Sequence, residues 1–324
     1  MTDSALLERV LTDADPARTP RESAPDLRAI ALRDRILRDT RAPRQRRAVV
    51  AGWASGLTVA AASAVVAVAV MVPQNAAVAG TPLPLEFDAG GTTAQILDDA
   101  QAALATSDGP AGAERAVQSA SWSFAVDMGT RETEVVPQLV TTTWNPDLSG
   151  RTVAIEGVPY DPADAAANVG SEISSSGEVA WELDMAPGEF AAPVVDMPAA
   201  TPDNMRAVLE AYWLPSDPTG FDVVAAISSA KGQWTLTNAQ ESEMLGILEQ
   251  VPGVEALGTS TDRLERPVTA LRVPSPDGTS SDVVLLSADT GRIVGVERTN
   301  LLDNEAFAAG AIISYQLWDI EGIL

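Results

Sequence analysis

The four residues SSAK at 228–231 fit the pattern S-x-x-K, in which a lysine activates a serine nucleophile for acyl transfer. Enzymes that use this pair carry S-D-N and K-T-G motifs further along the chain, and this sequence has neither. A second interpretation is that SSAK ends a helix, with Lys231 at the negative end of the helix dipole. We favour the helix end, because a four-residue match arises easily by chance.

Other residue types and motifs that carry chemistry are missing from the sequence. With no histidine and no cysteine, it has no histidine-based catalytic triad, zinc-thiolate site or disulfide. It contains neither a DxDxDG calcium loop nor a G-x-x-x-x-G-K-[ST] phosphate loop. We therefore predict that the protein is not an enzyme and has no catalytic residue, metal site or cofactor.

Charge is distributed unevenly along the chain. The formal net charge is −24, which argues against nucleic acid as a partner of the whole molecule. Residues 1–47 hold eleven of the 21 basic residues and only eight of the 45 acidic ones, a net charge of +3. The remaining residues carry −27. So sharp a difference indicates two segments in two compartments.

Residues 48–72 form a run of 25 residues without a single charge. As an α-helix the run would be about 37 Å long, enough to cross the hydrocarbon core of a bilayer, which is about 30 Å thick. Trp53 lies near one end, where an interfacial aromatic residue is expected. The run predicts a transmembrane helix. The alternatives are a buried core helix, or a signal peptide cleaved at AVAG (77–80), although the 47-residue charged segment before the run disfavours cleavage.

Four arginines set the expected orientation of this span. Arg41, Arg44, Arg46 and Arg47 directly precede it, whereas no basic residue occurs between its end and Arg115. Because basic flanking segments stay in the cytoplasm, we predict a single-pass protein of the cell membrane with a cytoplasmic N-terminal segment and an extracytoplasmic remainder. The arginines are also placed to contact lipid headgroups. A nucleic-acid-binding tail is the less favoured interpretation.

The cytoplasmic segment, residues 1–47, has two amphipathic patterns separated by a proline-rich linker. Two short helices cannot form a core of their own, so each apolar stripe needs another surface. That surface is either the lipid bilayer or a cytoplasmic protein partner, and the sequence leaves both open. The stripe residues are Leu6, Leu7, Val10 and Leu11 in the first helix and Ile30, Ile36 and Leu37 in the second.

After the span, residues 73–91 are rich in Pro, Ala and Gly and predict a stalk. Residues 92–324 predict one α+β domain with a curved antiparallel sheet that is covered on one face by helices. Residues 158–200 show no clear period apart from one strand at 179–185. Helices are predicted at 92–106, 203–213, 220–231 and 238–251, and strands at 119–127, 132–145, 151–157, 254–261, 266–273, 282–288, 293–301 and 308–320.

Five of the seven tryptophans lie in or beside these strands. They are either core residues or the lining of an apolar groove under the helices. The five are Trp122, Trp144, Trp181, Trp234 and Trp318.

Several stretches resemble a group of actinobacterial single-pass membrane proteins associated with sigma-factor regulation. They are LLERVLTDADP (6–16), ALRDRILRDT (31–40), and VPGVEALGTSTDRLERPVTALRV (251–273) followed by LLSADTGRIVGVE (285–297). The resemblance implies an anti-sigma-like or envelope-sensing role, with a sigma factor as the cytoplasmic partner and no catalytic residues. The zinc-binding H-x-x-x-C-x-x-C motif of one anti-sigma class is absent from this sequence.

The strand–turn–strand LLSADTGRIVGVE also looks like the hairpins of the LolA/RseB-type fold, an unclosed antiparallel barrel with helices in its mouth. Proteins of that fold hold acyl chains or sense misrouted lipoproteins. The resemblance therefore implies an alternative function, a membrane-anchored module that binds a lipid or a lipoprotein.

Overall fold

The computed structural model describes residues 48–50, 82, 84–126, 133–157, 175–303 and 309–320. The helices of this part are α1 (Thr93–Thr106), α2 (Pro202–Ala211), α3 (Gly220–Lys231) and α4 (Asn238–Glu249). Its strands are β1 (Ala48–Val50), β2 (Ala116–Val126), β3 (Thr133–Trp144), β4 (Gly150–Gly157), β5 (Ser175–Met185), β6 (Glu255–Thr261), β7 (Pro267–Pro274), β8 (Ser280–Ser287), β9 (Ile293–Asn300) and β10 (Ile312–Trp318).

Nine of these strands form one curved antiparallel sheet in the order β5-β4-β3-β2-β10-β9-β8-β7-β6, and β1 pairs with β2 outside this path. Strands β2–β5 and β6–β10 are two meanders, joined where β10 pairs with β2. The predicted α+β domain with a curved antiparallel sheet is confirmed.

The sheet is apolar on both faces. Six consecutive residues of β8, from 281 to 286, are buried. Val284 and Leu286 pack against the helices, whereas Val283 and Leu285 belong to a second apolar cluster on the opposite face. A strand buried on both faces has no polar side to alternate with, which explains the continuous apolar run in the sequence.

Each helix begins after a threonine whose hydroxyl accepts a hydrogen bond from the first helical turn. In α1, α3 and α4 the third helical residue returns the bond and completes a capping box. The buried face of α1 is an apolar stripe, and the helix predicted at 92–106 is observed at Thr93–Thr106. The capping threonines are Thr92, Thr201, Thr219 and Thr237, and the buried residues of α1 are Ile96, Leu97, Ala100 and Leu104.

The edge strand β6 is covered by residues that the sequence assigned to the stalk. Asp88 and Thr259 exchange two backbone hydrogen bonds of 2.9 Å. Gly258, at φ 110°, allows this approach, because a Cβ there would collide with the carbonyl oxygen of Asp88. Leu85 and Phe87 pack on the second apolar cluster. The predicted stalk, 73–91, is therefore wrong at its end, where alternating apolar side chains dock on the sheet.

Proline is usually confined to edge strands and bulges, yet Pro137 belongs to β3, which lies inside the sheet between β2 and β4. Pro137 stands opposite Trp122 without a register shift. The ladder between β3 and β4 begins at the pair Gln138–Glu156, so Pro137, which lacks an N–H, lies just outside it.

Most residues of the predicted membrane span lie outside the described residues. Its first three, Ala48–Val50, form β1, antiparallel to Phe124–Val126 of β2, and do not begin the predicted helix. Two of these three residues are valines, which favour strands. Within the described part of the chain, no helix combines the length and apolarity needed to cross a membrane.

A buried carboxylate connects the helices to the sheet. Glu241 of α4 is fully buried, and its Oε1 accepts hydrogen bonds from Lys231 Nζ at 2.6 Å and from Arg292 Nη2 at 2.8 Å. Its Oε2 accepts the backbone N–H of Ile293 at 2.8 Å. One side chain thereby joins α3, α4 and the start of β9. We call Lys231, Glu241, Arg292 and Asp319 the buried ion network.

Asp319, just after β10, completes the network. Arg292 Nε donates to its carboxylate at 2.7 Å. Burial alone would raise the pKa of Asp319, but the nearby charges of Lys231 and Arg292 outweigh burial and hold that pKa below its usual range. The two carboxylates and two cations balance in charge, so loss of one member leaves an opposite charge without one of its partners.

We predict that Glu241→Ala lowers the free energy of unfolding by about 3–5 kcal/mol, because it leaves two buried cations without their carboxylate. The matched control is Glu182→Ala. Glu182 also pairs with an arginine, at 2.7 Å from Arg151, but its side chain is 53% exposed. This control should lose at most about 1 kcal/mol. Urea unfolding followed by tryptophan fluorescence measures both, and equal losses would contradict the prediction.

Candidate functional site

The residues that the sequence singled out for membrane and partner contacts all lie outside the described residues, so their roles stay predictions. They are the four arginines and one tryptophan at the predicted membrane surface, Arg41, Arg44, Arg46, Arg47 and Trp53, and the apolar stripes Leu6, Leu7, Val10, Leu11, Ile30, Ile36 and Leu37.

The SSAK residues end helix α3, so the interpretation as a helix terminus is confirmed. Lys231 Nζ donates a hydrogen bond to Glu241 at 2.6 Å. The ammonium group therefore forms an ion pair with this carboxylate and does not contact the serine. Ser228 Oγ is buried and has no hydrogen-bond partner among the described residues. A serine nucleophile needs a base within hydrogen-bond reach, and this arrangement does not provide one.

The tryptophans divide between the two faces of the sheet. Trp122 belongs to the second apolar cluster. Trp144 and Trp234 meet on the helix side edge to face, with ring centroids 4.9 Å apart. Phe190 stacks on Trp144 at 5.0 Å. These three rings form an aromatic corner at the boundary between the core and the solvent.

Arg115, the residue before β2, lies in this aromatic corner. Its guanidinium carbon is 5.2 Å from the Trp144 ring centroid and 5.1 Å from that of Trp234, within the range of cation–π contact. Its Nε and Nη2 donate to the carbonyl oxygen of Val195 at 3.2 and 2.6 Å. Nη2 also donates to Asp196 at 2.6 Å. The guanidinium is thus fixed by two rings and one backbone carbonyl.

Asp196 is positioned by an extended segment, residues 190–200, that connects β5 to α2. Side chains from the rest of the domain donate to its backbone carbonyls: Gln233 to Ala191, Gln240 to Pro198, and Asn204 to Ala199, at 2.9 to 3.1 Å. Together with Arg115, these bonds hold an irregular segment in place without a strand partner.

An open cleft of about 470 Å³ lies beside Arg115. Arg115 and Trp234 form one part of its lining, the extended segment forms a second, and the first turn of α4 forms a third. We call it the Arg115 cleft. Its lining residues are Gly112, Ala113, Arg115, Asp196, Met197, Pro198, Ala199, Ala200, Trp234, Thr237, Ala239 and Gln240.

The lining of the Arg115 cleft combines charged, polar and apolar groups. It offers a fixed cation, amide and hydroxyl groups, and apolar surface, which can orient a ligand. Over the described part of the chain, no group of three or more acidic side chains is placed to hold a metal ion.

Comparison with known proteins gives no match to a family model, to a curated protein or to a solved structure.

Sequence reasoning did not identify Arg115 or Asp196. The available signal was weak: Arg115 is the first basic residue after the uncharged run, directly before a strand. Its contacts lie 29 to 119 positions further along the chain, at Trp144, Asp196 and Trp234. Contacts so distant in sequence leave no periodic pattern.

We predict that Arg115→Lys destabilises the protein by about 1–2 kcal/mol, because an ammonium loses the planar stacking and the two-pronged contact of a guanidinium. Arg151→Lys is the matched control, since Arg151 is 54% exposed and forms only surface pairs. It should change the free energy of unfolding by less than about 0.5 kcal/mol. Urea titrations of both variants test this, and an Arg115→Lys variant as stable as the control would refute it.

Proposed function

We propose that this chain is a single-pass membrane protein whose exported domain is a non-catalytic envelope sensor or anti-sigma-like regulator. The observation that carries the proposal is the charge pattern. Four arginines in seven residues directly precede the 25 uncharged residues, and the chain beyond residue 47 has a net charge of −27. The positive-inside rule assigns the basic side to the cytoplasm.

The pairing of the short strand β1 with β2 is incompatible with the proposed membrane topology. A chain that keeps Arg41–Arg47 in the cytoplasm cannot also pair Ala48–Val50 with β2 in an exported domain. Membrane insertion therefore requires β1 to leave the sheet, at a cost of a few hydrogen bonds of about 1 kcal/mol each. Residues 51–72 alone would span about 33 Å as a helix, and transfer of their apolar side chains into lipid outweighs that cost.

The packing of the domain supports a regulator over a lipid carrier. An acyl chain would need space between the helices and the sheet. In that layer, side chains of α4, of β7 and of the connection between α3 and α4 are at most 2% exposed and fill the space: Met244, Leu245, Leu271, Trp234 and Leu236. The alternative function is a membrane-anchored module that binds a lipid or a lipoprotein. Among the features described, only the unclosed curved sheet supports it. Lipid recovered by extraction of the purified protein would favour that alternative.

The cytoplasmic stripes provide the regulator with a surface for its partner. Leu6, Leu7, Val10 and Leu11 form one stripe, and Ile30, Ile36 and Leu37 form the other. Docking of an amphipathic helix in a groove of a sigma factor would bury such residues.

We predict that a periplasm-active reporter fused after Leu324 is active, whereas the same reporter fused near Thr2 is not. Exchange of Arg41, Arg44, Arg46 and Arg47 for glutamate removes the positive bias and should give a mixture of orientations. Exchange of Arg9, Arg18, Arg21 and Arg28, which lie further from the span, is the matched control and should disturb orientation less. A reporter that is inactive after Leu324 in the native sequence would end the proposal.

We predict that Leu7→Asp combined with Ile36→Asp abolishes co-purification of the sigma factor while membrane insertion stays normal. Removal of an apolar anchor from a groove costs about 2 kcal/mol or more, or roughly 30-fold in affinity for each residue. Thr12→Asp combined with Thr40→Asp adds the same charge outside the stripes and should leave recovery unchanged. Equal recovery from both double variants would show that the stripes contact only lipid.

A further inference from the structure

The Arg115 guanidinium has N–H groups that take part in none of the described hydrogen bonds. Its Nε and Nη2 bind Val195 and Asp196, and Nη1 donates to no described residue. The side chain is 25% exposed and lines the Arg115 cleft. Because Trp144 and Trp234 fix the plane of the guanidinium, an incoming ligand meets an oriented group and not a flexible one.

The present partner of Arg115 is easily replaced. Asp196 is 89% exposed, and ion pairs on the surface contribute little to stability. Guanidinium groups bind carboxylates and phosphates through two parallel hydrogen bonds. An anion in the cleft would therefore compete with Asp196 for the same edge of Arg115, while the bond to the Val195 carbonyl stays.

The other residues that line the Arg115 cleft indicate the size and polarity of the ligand. Its volume of about 470 Å³ lies within the range of small-molecule sites. Thr237, Ala239 and Gln240 belong to the first turn of α4 and its cap, where the helix dipole favours negative charge. Trp234, Met197 and Pro198 add apolar surface. An anionic group beside an apolar body matches this lining.

We propose that the Arg115 cleft binds a small molecule with one carboxylate or phosphate group beside an apolar body, and that Asp196 takes the anion's position when the cleft is empty. The site goes beyond the regulatory role proposed above and does not depend on membrane insertion.

Calorimetric titration of the purified full chain with phenylacetate and phenyl phosphate tests the proposal. Phenylacetamide has nearly the same shape without the charge and serves as the neutral control. We expect the anions to bind at least about tenfold more tightly than the amide, because the hydrogen bonds to the guanidinium are charge-assisted. The stronger of the two anions identifies the class of ligand. Equal binding of the amide and phenylacetate would overturn the proposal.

Two variants assign the binding to Arg115. Asp196→Asn removes the competing carboxylate and should tighten phenylacetate binding about two- to fivefold, equivalent to about 0.4–1 kcal/mol. Arg115→Gln should abolish binding, whereas Arg151→Gln, which removes an arginine that does not line the cleft, should leave it unchanged.

An Asp196→Asn variant that binds no more tightly than the native chain would refute the proposal. So would an Arg115→Gln variant that is folded by circular dichroism and still binds. If Arg115→Gln does not fold, Asp196→Asn decides the outcome, because a side chain that is 89% exposed is not needed for folding.

Discussion

The carboxylate of Glu241 has no access to water, so its negative charge is tolerated only while Lys231, Arg292 and the amide of Ile293 point at it. These groups come from three places in the chain. Arg292 also donates to the carbonyl of Leu236 and to Asn238. The Asn238 amide in turn donates to Leu104, at the end of α1. A hydrogen-bond network around one buried charge thus connects α1, α3, α4 and β9.

The buried ion network lies next to the Arg115 cleft. The residues that anchor the network, Asn238 and Glu241, occupy the same turn of α4 as the cleft residues Thr237 and Gln240. The cleft is also lined by segments next to both meanders. Arg115 directly precedes the meander β2–β5, and residues 190–200 follow it. Helix α4 precedes the meander β6–β10. The cleft lining includes the buried Gln240 on the α4 side, next to the ion network, and the exposed Asp196.

Local signals in the sequence predict most of the elements. Helical periodicity and β-rich runs in the sequence give the helices and strands to within a few residues. The sheet order, the buried ion network and the Arg115 cleft could not be predicted from these local signals. Glu241 lies in an amphipathic pattern where a glutamate normally faces water, and its partners are 10 and 51 residues away. Arg115 lies 29 and 119 residues from the two tryptophans that it contacts. The membrane span, of which only residues 48–50 are described, and the cytoplasmic stripes stay predictions from the sequence.

The burial of Lys231 has a consequence for chemical reactivity. It is the only lysine of the chain, and its side chain is 3% exposed. The folded protein therefore presents no accessible side-chain amine, and acylating reagents, aldehydes and lysine-modifying enzymes find no target on the surface of the domain. Opening of the core exposes one amine, so the reactivity of a single nitrogen atom reports whether the helices and the sheet remain together.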